Sequence, residues 1–268
     1  MTGFLREIVE AVRADIARPD YREGLPTDPP RRPPSLRHAI EAAPSGWALM
    51  VERKHRSPGS AQPDLPTRSL DEFARLVGSC GADAVSCLAT RPAFDGSPRE
   101  VADLAEHLPV PVLFKDFVVD PVQIDAARRS GASAVLLIAR LETAGLLRLP
   151  LADLAAQAHR AGLEVLLEFH AKEEVKLAAT VPADGYGVNV RDLDTLTFRP
   201  DVARATFEAL AGHTPRIGLS GVEGPQEARR FRTWGADGIL VGSAFARASD
   251  PAAFFSALRA VASTEEKA

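Results

Sequence analysis

Short runs of apolar, often β-branched residues recur along most of the chain and alternate with segments of helical spacing. Eight such runs are strand candidates, at 47–53, 83–88, 110–115, 134–138, 164–169, 185–189, 215–219 and 238–242. Both faces of these runs are apolar, which is typical of parallel strands that are covered on both sides. Between them, apolar residues at helical spacing predict helices at 69–80, 121–131, 151–162, 224–235 and 250–262.

Four of the strand candidates begin with a similar sequence. GADAVSCL starts at Gly81, GASAVLLI at Gly131, ADGYGVNV at Ala183 and GADGILVG at Gly235, so the copies lie about 50 residues apart. Each interval holds two strand–helix units, and eight such units in about 220 residues predict an α/β fold, a (β/α)8 TIM barrel. The alternative is an open doubly wound sheet, but no G-x-G-x-x-G follows the first strand candidate.

The residues before the first strand candidate predict an N-terminal helical extension. Apolar residues from Phe4 to Val12 have the spacing of an amphipathic helix over 3–17. Residues 18–34 are rich in proline and arginine, which excludes a regular helix or a central strand and predicts an extended surface connector. We therefore expect residues 1–45 to cover the barrel, residues 46–268 to form it, and the chain to be one domain.

Composition and charge exclude several classes of protein. Of the 268 residues, 46% are hydrophobic and 25% charged, which rules out a disordered chain or a fibre. The net charge of −4 leaves no broad basic surface for nucleic acid. The chain has only two cysteines, a charged N-terminus and no apolar run of about 20 residues. We expect a cytoplasmic monomer that binds neither nucleic acid nor membrane.

Polar residues follow most of the strand candidates, at the end of the barrel where active sites lie. They are Glu52 and Lys54, Lys115 and Asp116, Glu168 and His170, Asn189 and Arg191, Ser220 and Gly221, and Gly242 and Ser243. A single charge in such a position is as often a structural ion pair, but convergence from several strands favours a functional site. Lysines and carboxylates around one pocket suit acid–base chemistry, and the glycine-containing ends of the last two strands suit a phosphate.

Metal chemistry has no support in the sequence, because the six histidines are scattered and show no metal-ligand spacing. His170 is expected to be a hydrogen-bonding neighbour of the site rather than a ligand.

Several segments resemble indole-3-glycerol phosphate synthase. They are VERKHRSP at 51–58, PVLFKDFVVD at 111–120, EVLLEFH at 164–170, GVNVRDL at 187–193, LSGV at 219–222 and GILVGSAFAR at 238–247. The resemblance runs in order through nearly the whole chain. It implies decarboxylating ring closure of carboxyphenylaminodeoxyribulose 5-phosphate to indole-3-glycerol phosphate, a step of tryptophan biosynthesis. It also implies that the partner is a small phosphorylated arylamino sugar and that no cofactor or metal takes part.

The resemblance further implies roles for particular residues. Lys115 matches the general acid that protonates the substrate carbonyl, and Lys54 matches the lysine that contacts the substrate carboxylate and assists later proton transfer. Glu52 and Glu168 match the carboxylates that position groups and move protons. The matched substrate contacts are Ser57, Phe94, Asn189, Arg191 and Ser220, and the matched phosphate contacts are Gly221, Gly242 and Ser243.

The sequence departs from the family pattern at three places. Leu219 stands where the family usually has a glutamate before Ser-Gly. The loop after the second strand, 88–97, lacks the family's acidic residue, lysine and one aromatic but keeps Phe94. After the first strand, the usual Ser-Pro-Ser-x-Gly is Ser-Pro-Gly-Ser-Ala at 57–61. Together these changes alter the aryl side of the expected pocket, so the substrate is either the usual one or an analogue derived from a modified anthranilate.

Two other functions stay open at this point. One is another phosphate-binding barrel enzyme of the isomerase type, and the other is a catalytically weak barrel used as a binding subunit. The presence of both Lys54 and Lys115 argues against each of them.

Overall fold

Eight parallel strands close into a barrel in chain order, and β1 pairs with β8 to complete it. The computed structural model describes residues 3–29, 32–66 and 68–261, so the parts of our predictions that fall on 1–2, 30–31, 67 and 262–268 lie outside it. The strands are β1 (Ala48–Arg53), β2 (Ala84–Leu88), β3 (Val112–Lys115), β4 (Ala134–Ile138), β5 (Glu164–Phe169), β6 (Gly185–Asn189), β7 (Arg216–Leu219) and β8 (Gly238–Val241). The predicted barrel and its strand positions are confirmed, and the open sheet is excluded.

The described residues also form α-helices, most of which follow a strand and pack on the outside of the barrel. They are α1 (Phe4–Ile16), α2 (Leu36–Glu41), α3 (Leu70–Cys80), α4 (Pro98–His107), α5 (Pro121–Arg129), α6 (Ala139–Thr143), α7 (Leu151–Arg160), α8 (Pro200–Ala209), α9 (Pro225–Thr233), α10 (Ser243–Arg247) and α11 (Pro251–Arg259). Short 3₁₀ segments cover Pro19–Arg22, Pro44–Gly46 and Lys172–Ala179, the last one between β5 and β6. The local sequence sets several boundaries: Ser69 caps α3 at its start, and Gly81 ends it in the left-handed conformation (φ 63°).

Alternate residues of each strand point to opposite sides of the barrel wall, as a period of two requires. Ala48, Met50, Leu166 and Leu240 belong to the buried cluster inside the barrel. Their neighbours along the strands belong to the cluster between the strands and the helices. Apolar burial on both sides explains why the strands are almost entirely apolar and why polar residues could be recognised at their ends.

The sequence repeat before the even-numbered strands corresponds to a repeated hydrogen bond at the N-terminal end of the barrel. In each copy, a polar residue just before an even-numbered strand accepts a hydrogen bond from a backbone N–H near the start of the preceding strand. The pairs are Asp83 with Leu49 (2.7 Å), Ser133 with Val112 (3.2 Å), Asp184 with Val165 (2.8 Å) and Asp237 with Arg216 (2.6 Å). These bonds satisfy N–H groups that lie where the ladder begins and tie neighbouring strands together.

The N-terminal extension contacts both ends of the barrel. Helix α1 lies at the C-terminal end, where its Phe4 lines a cavity and Leu5 joins the interior cluster. Helix α2 lies at the N-terminal end, where Ser35 Oγ and Arg37 N–H donate to the Glu164 carboxylate at the start of β5. The division of the chain at residues 45 and 46 stays a prediction.

The connector between α1 and α2 is only partly a surface segment. Arg129 on α5 donates to the carbonyls of Leu25 and Pro26, so the connector runs along the outside of the barrel. Tyr21 and Leu25, however, are buried, and Tyr21 Oη donates to Asp116 Oδ2 at 3.4 Å. The expectation of a surface connector is wrong at these two residues, because each buries a large apolar side chain against the barrel.

Within the described ranges, every helix is too short or too polar to cross a bilayer.

Candidate active site

A cavity of about 660 Å³ opens at the C-terminal end of the barrel, and we call it the central cavity. Its wall contains every residue predicted to be catalytic or to bind substrate: Glu52, Lys54, Ser57, Phe94, Lys115, Glu168, Asn189, Arg191 and Ser220. The residues from the strands lie at or just beyond the last positions of their strands, where the barrel topology brings them together.

A second cavity of about 400 Å³, which we call the loop cavity, adjoins the central one. The predicted phosphate contacts Gly221, Gly242 and Ser243 line it. Four residues line both cavities, so the two lie side by side: Glu52, Lys54, Arg191 and Ser220.

Glu52 joins the two lysines of the site. Its Oε1 lies 2.7 Å from Lys54 Nζ, and its Oε2 lies 2.7 Å from Lys115 Nζ. The Glu52 side chain is only 2% exposed, whereas the two lysine side chains are 15% and 17% exposed. The carboxylate is thus enclosed, while both ammonium groups keep a surface toward the cavity.

The charges of this triad control its protonation. Burial acts to raise the pKa of Glu52, but Lys115 and Lys54 outweigh burial and lower it to about 2. Burial acts to lower the pKa of Lys115, but the negative charges of Glu52 and Glu168 raise it above its ordinary value. At neutral pH the site therefore holds an ionised Glu52 and a protonated Lys115 that can donate a proton.

Glu168 has a different environment on the opposite wall. Its Oε1 lies 3.1 Å from His170 Nε2. Its Oε2 is buried without a hydrogen-bond partner among the residues that the structure describes. Burial acts to raise the pKa of Glu168, but His170 and then Lys115 outweigh burial and lower it. Glu168 is therefore an ionised carboxylate with one unengaged oxygen.

Asp116 follows Lys115 but contributes to structure rather than to the acid–base set. Its carboxylate accepts hydrogen bonds from Thr90 Oγ1 (2.6 Å), Gln123 Nε2 (2.8 Å) and the Phe117 N–H (2.9 Å), besides Tyr21 Oη. These donors occupy both oxygens and join the loops after β2 and β3 behind Lys115. Asp116 is thus a polar residue at a strand end with a structural role, and the sequence alone does not distinguish such a residue from a functional one.

Apolar side chains form the wall opposite the loop cavity. Phe94 and Phe117 pack together with ring centroids 6.1 Å apart, and Phe4, Ile138 and Leu193 complete this face. An aryl group fits here, because flat apolar surfaces bury well against aromatic rings.

The loop cavity has a backbone suited to an anion. Ser220 and Gly221 both take positive φ angles (66° and 70°), which turns the chain sharply after β7. At Gly242 a Cβ atom would lie 2.7 Å from Glu52 Oε1 and 2.8 Å from Lys54 Nζ, so a side chain here would displace the charged ends of Glu52 and Lys54. The Arg191 guanidinium borders the same cavity and lies 4.5 Å from the centre of the Phe198 ring.

Three lining residues were not predicted from the sequence. Phe4 reaches the cavity from α1, Phe117 follows Asp116, and Phe198 is 47% exposed beside Arg191. Phe4 looked like an ordinary residue of an amphipathic helix, and only the packing of α1 across the barrel end reveals its place. A large exposed aromatic in a polar loop was the one available clue to Phe198.

No cluster of three or more His, Cys, Asp or Glu side chains suited to a metal ion occurs in the part of the chain that is described.

Comparison with known proteins identifies the relatives of this chain. The family model described as indole-3-glycerol phosphate synthase matches residues 5–258. Indole-3-glycerol phosphate synthase of Exiguobacterium sibiricum is 34% identical over 97% of this chain and 98% of that protein. Indole-3-glycerol phosphate synthase 2 of Streptomyces coelicolor is 35% identical over 94% of this chain and 96% of that protein.

Solved structures share the architecture at low sequence identity. 3-Hexulose-6-phosphate synthase from Salmonella typhimurium aligns with a TM-score of 0.60 at 16% identity, covering 80% of this chain and 98% of that one. Thiamine phosphate pyrophosphorylase from Pyrococcus furiosus aligns with a TM-score of 0.59 at 19% identity, covering 82% of this chain and 96% of that one. At such identities these likenesses bear on the fold alone.

Proposed function

The chain belongs to the indole-3-glycerol phosphate synthase family, and we propose that the residues of its two adjoining cavities catalyse the decarboxylating ring closure that makes indole-3-glycerol phosphate. The substrate is carboxyphenylaminodeoxyribulose 5-phosphate, or an analogue with a modified aryl ring, and CO₂ and water are the other products. The observation that supports this most is the buried Glu52, which holds two cavity-facing ammonium groups between an apolar wall and a phosphate-sized loop cavity.

The two cavities define how the substrate is oriented in the site. The phosphate lies in the loop cavity, where backbone N–H groups of Gly221, Gly242 and Ser243 receive it and Arg191 supplies a positive charge. The aryl ring lies against Phe94, and its carboxylate faces Lys54. The ketone between these ends then faces Lys115. Asn189, Ser57 and Ser220 border the same path and fix the ligand's orientation.

Ring closure begins with proton donation by Lys115. As the aryl carbon that carries the carboxylate attacks the ketone carbon, Lys115 gives a proton to the ketone oxygen, which becomes a hydroxyl group. Glu52 holds the Lys115 ammonium in place at 2.7 Å and keeps it protonated until that moment. The bond to the carboxylate then breaks, its electron pair returns to the ring, and CO₂ leaves.

Dehydration completes the indole. The new hydroxyl group leaves as water with a proton from Lys54, and Glu168 removes a proton from the neighbouring methylene carbon. We assign the base to Glu168 rather than Glu52 because both Glu52 oxygens are engaged by lysines, whereas Glu168 Oε2 is unengaged. Two protons are given and one is taken, so one proton from solvent restores the enzyme.

We also propose that the protein acts as a cytoplasmic monomer without a nucleic-acid or membrane partner. The net charge of −4, the two cysteines and the small phosphorylated substrate of its family support this. Sedimentation equilibrium of the purified chain tests the oligomeric part.

Incubation of the purified protein with synthetic carboxyphenylaminodeoxyribulose 5-phosphate, followed by indole fluorescence, tests the proposed reaction. We expect an indole signal with release of one CO₂ per product. Conversion to another sugar phosphate without CO₂ would instead indicate an isomerase-type barrel. Binding without any conversion of plain or ring-substituted substrates would indicate a barrel kept as a binding subunit.

A further inference from the structure

His170 lies directly behind Glu168 and does not line either cavity. The two residues are two positions apart at the end of β5, so both point toward the inside of the barrel. Their side chains are 1% and 2% exposed, and Nε2 of His170 is 3.1 Å from Oε1 of Glu168. Any influence of His170 on the substrate therefore passes through the Glu168 carboxylate.

The polar atoms of this pair are left without ordinary hydrogen bonds. Both ring nitrogens of His170 and Oε2 of Glu168 are buried and unpaired among the described residues. Buried polar atoms are paired in the great majority of cases, and exceptions occur where a group serves a reaction. The contact of 3.1 Å brings the imidazole and the carboxylate together in the barrel interior.

The loop after β5 fixes the position of His170. Glu174, which is buried, accepts a hydrogen bond from the His170 backbone N–H at 2.7 Å. The other oxygen of Glu174 pairs with Arg140 of α6. This contact uses only the backbone N–H of His170, so the imidazole ring remains available to Glu168.

We propose that His170 is a positioning residue whose imidazole holds the Glu168 carboxylate in place and keeps it ionised, with Oε2 left for the substrate proton. This inference rests on the proposed function, in which Glu168 is the base of the dehydration step. The titratable groups that face Glu168 are His170 and Lys115, and Lys115 is itself paired with Glu52, while the Asn189 side chain also stabilises the ionised carboxylate. Removal of His170 leaves burial opposed by Lys115 and Asn189 only, so Glu168 should bind its proton more tightly.

The test compares His170→Leu with His170→Gln, whose amide nitrogen reaches the position of Nε2. In His170→Leu we expect the acidic limb of the kcat profile, which includes the dehydration step that follows CO₂ release, to move to higher pH by about one unit or more, with His170→Gln recovering most of the shift. His159→Leu is the matched control, since His159 makes a similar contact with Asp184 (2.8 Å) at the other end of the barrel and should leave the limb unchanged.

Carbon-13 NMR of the side-chain carboxyl groups gives a readout that needs no activity, with Glu168→Gln identifying the Glu168 signal. In the wild-type protein we expect Glu168 to titrate below the ordinary glutamate range, and in His170→Leu above its wild-type position. Wild-type titration at or above the ordinary range would overturn the inference even if His170→Leu fails to fold, and so would an unchanged titration in the folded variant. Failure of the proposed reaction would appear separately, as absence of indole with a normal Glu168 titration.

Discussion

The two ends of the barrel use the same residue types for opposite purposes. At the N-terminal end, carboxylates such as Asp83, Asp184 and Asp237 accept hydrogen bonds from backbone N–H groups of neighbouring strands. At the C-terminal end, among the described residues, Glu52 pairs with two lysines and Glu168 keeps one oxygen without a hydrogen-bond partner. Carboxylates that accept hydrogen bonds from the backbone stabilise the fold, whereas those that face lysine ammonium groups in a cavity are available for chemistry.

Strand β5 shows the contrast within a few residues. Glu164 at its start receives Ser35 Oγ and the Arg37 N–H from α2, which closes that end of the barrel. Glu168 near its end lines the central cavity beside His170. Position along the strand therefore separates the two carboxylates of β5, the first into structure and the second into the cavity.

The largest expected effect is on turnover, from replacement of Lys115. Lys115→Met removes the proposed proton donor and should lower kcat by at least about 10²-fold, the scale of general acid catalysis. Urea unfolding should show that the variant is folded. Near-normal turnover in a folded Lys115→Met protein would remove Lys115 from the mechanism.

Glu52→Gln should reduce both activity and stability, since it removes the buried carboxylate that pairs with both lysine ammonium groups of the cavity. Loss of one member of a buried ion pair typically destabilises by about 3–5 kcal/mol. The effect has a definite pH dependence. Because the pKa of Glu52 is lowered from 4.5 to about 2 in the folded state, its contribution is complete above pH 4.5 and disappears as the pH falls toward 2.

The free energy of unfolding of wild type and Glu52→Gln, measured between pH 2 and 7, checks this prediction. Glu164→Gln is the control from the other end of the same barrel and should cost about 1 kcal/mol or less, as expected for an exposed polar contact. A gap between wild type and Glu52→Gln that stays constant down to pH 2 would contradict the assigned role of the charge.

Asp83→Ala should have a smaller effect, and on stability alone. It leaves the Leu49 N–H without its acceptor, and an unsatisfied buried donor costs about 1–3 kcal/mol. The kcat of the folded variant should stay within about twofold of wild type, because Asp83 lies at the end of the barrel remote from the cavity. A loss of turnover comparable with that of Lys115→Met would contradict the assignment of stability to one end of the barrel and catalysis to the other.

The smallest and most specific change is expected from Leu219→Glu. Leu219 is fully buried inside the barrel, beside Gly187 and in register with Asn189. A carboxylate here restores the usual family residue and should raise kcat/KM for the unsubstituted substrate relative to a ring-substituted one, with Leu219→Gln as the neutral control. Wild-type preference for the plain substrate at an ordinary rate of roughly 1–10³ s⁻¹ would show that the pocket is not specialised.

The sequence was sufficient to predict the barrel and the set of residues that meet at its C-terminal end. Apolar strands of regular spacing carry that information, and a polar residue at the end of such a strand stands out. The roles within the set needed geometry, because Asp116 and Glu168 follow equally apolar strands, yet donors occupy both oxygens of Asp116 and leave one oxygen of Glu168 unpaired.

Contacts between distant segments were also beyond the sequence. Tyr21 sits in a proline-rich connector, and its bond to Asp116 depends on how that connector crosses the barrel. Phe4 belongs to an ordinary amphipathic pattern, and the pattern does not say that its helix lies over the cavity. Such long-range packing leaves no local periodicity to detect.

A crystal structure with the reduced substrate tests the account most directly. In this ligand the ketone is an alcohol, so the aryl ring cannot attack and the complex is stable. We expect its phosphate within hydrogen-bond distance of the N–H groups of Gly221, Gly242 and Ser243, its aryl ring against Phe94, and its alcohol oxygen at Lys115 Nζ. A phosphate bound at the α2 end of the barrel, or an alcohol oxygen remote from Lys115, would contradict the account.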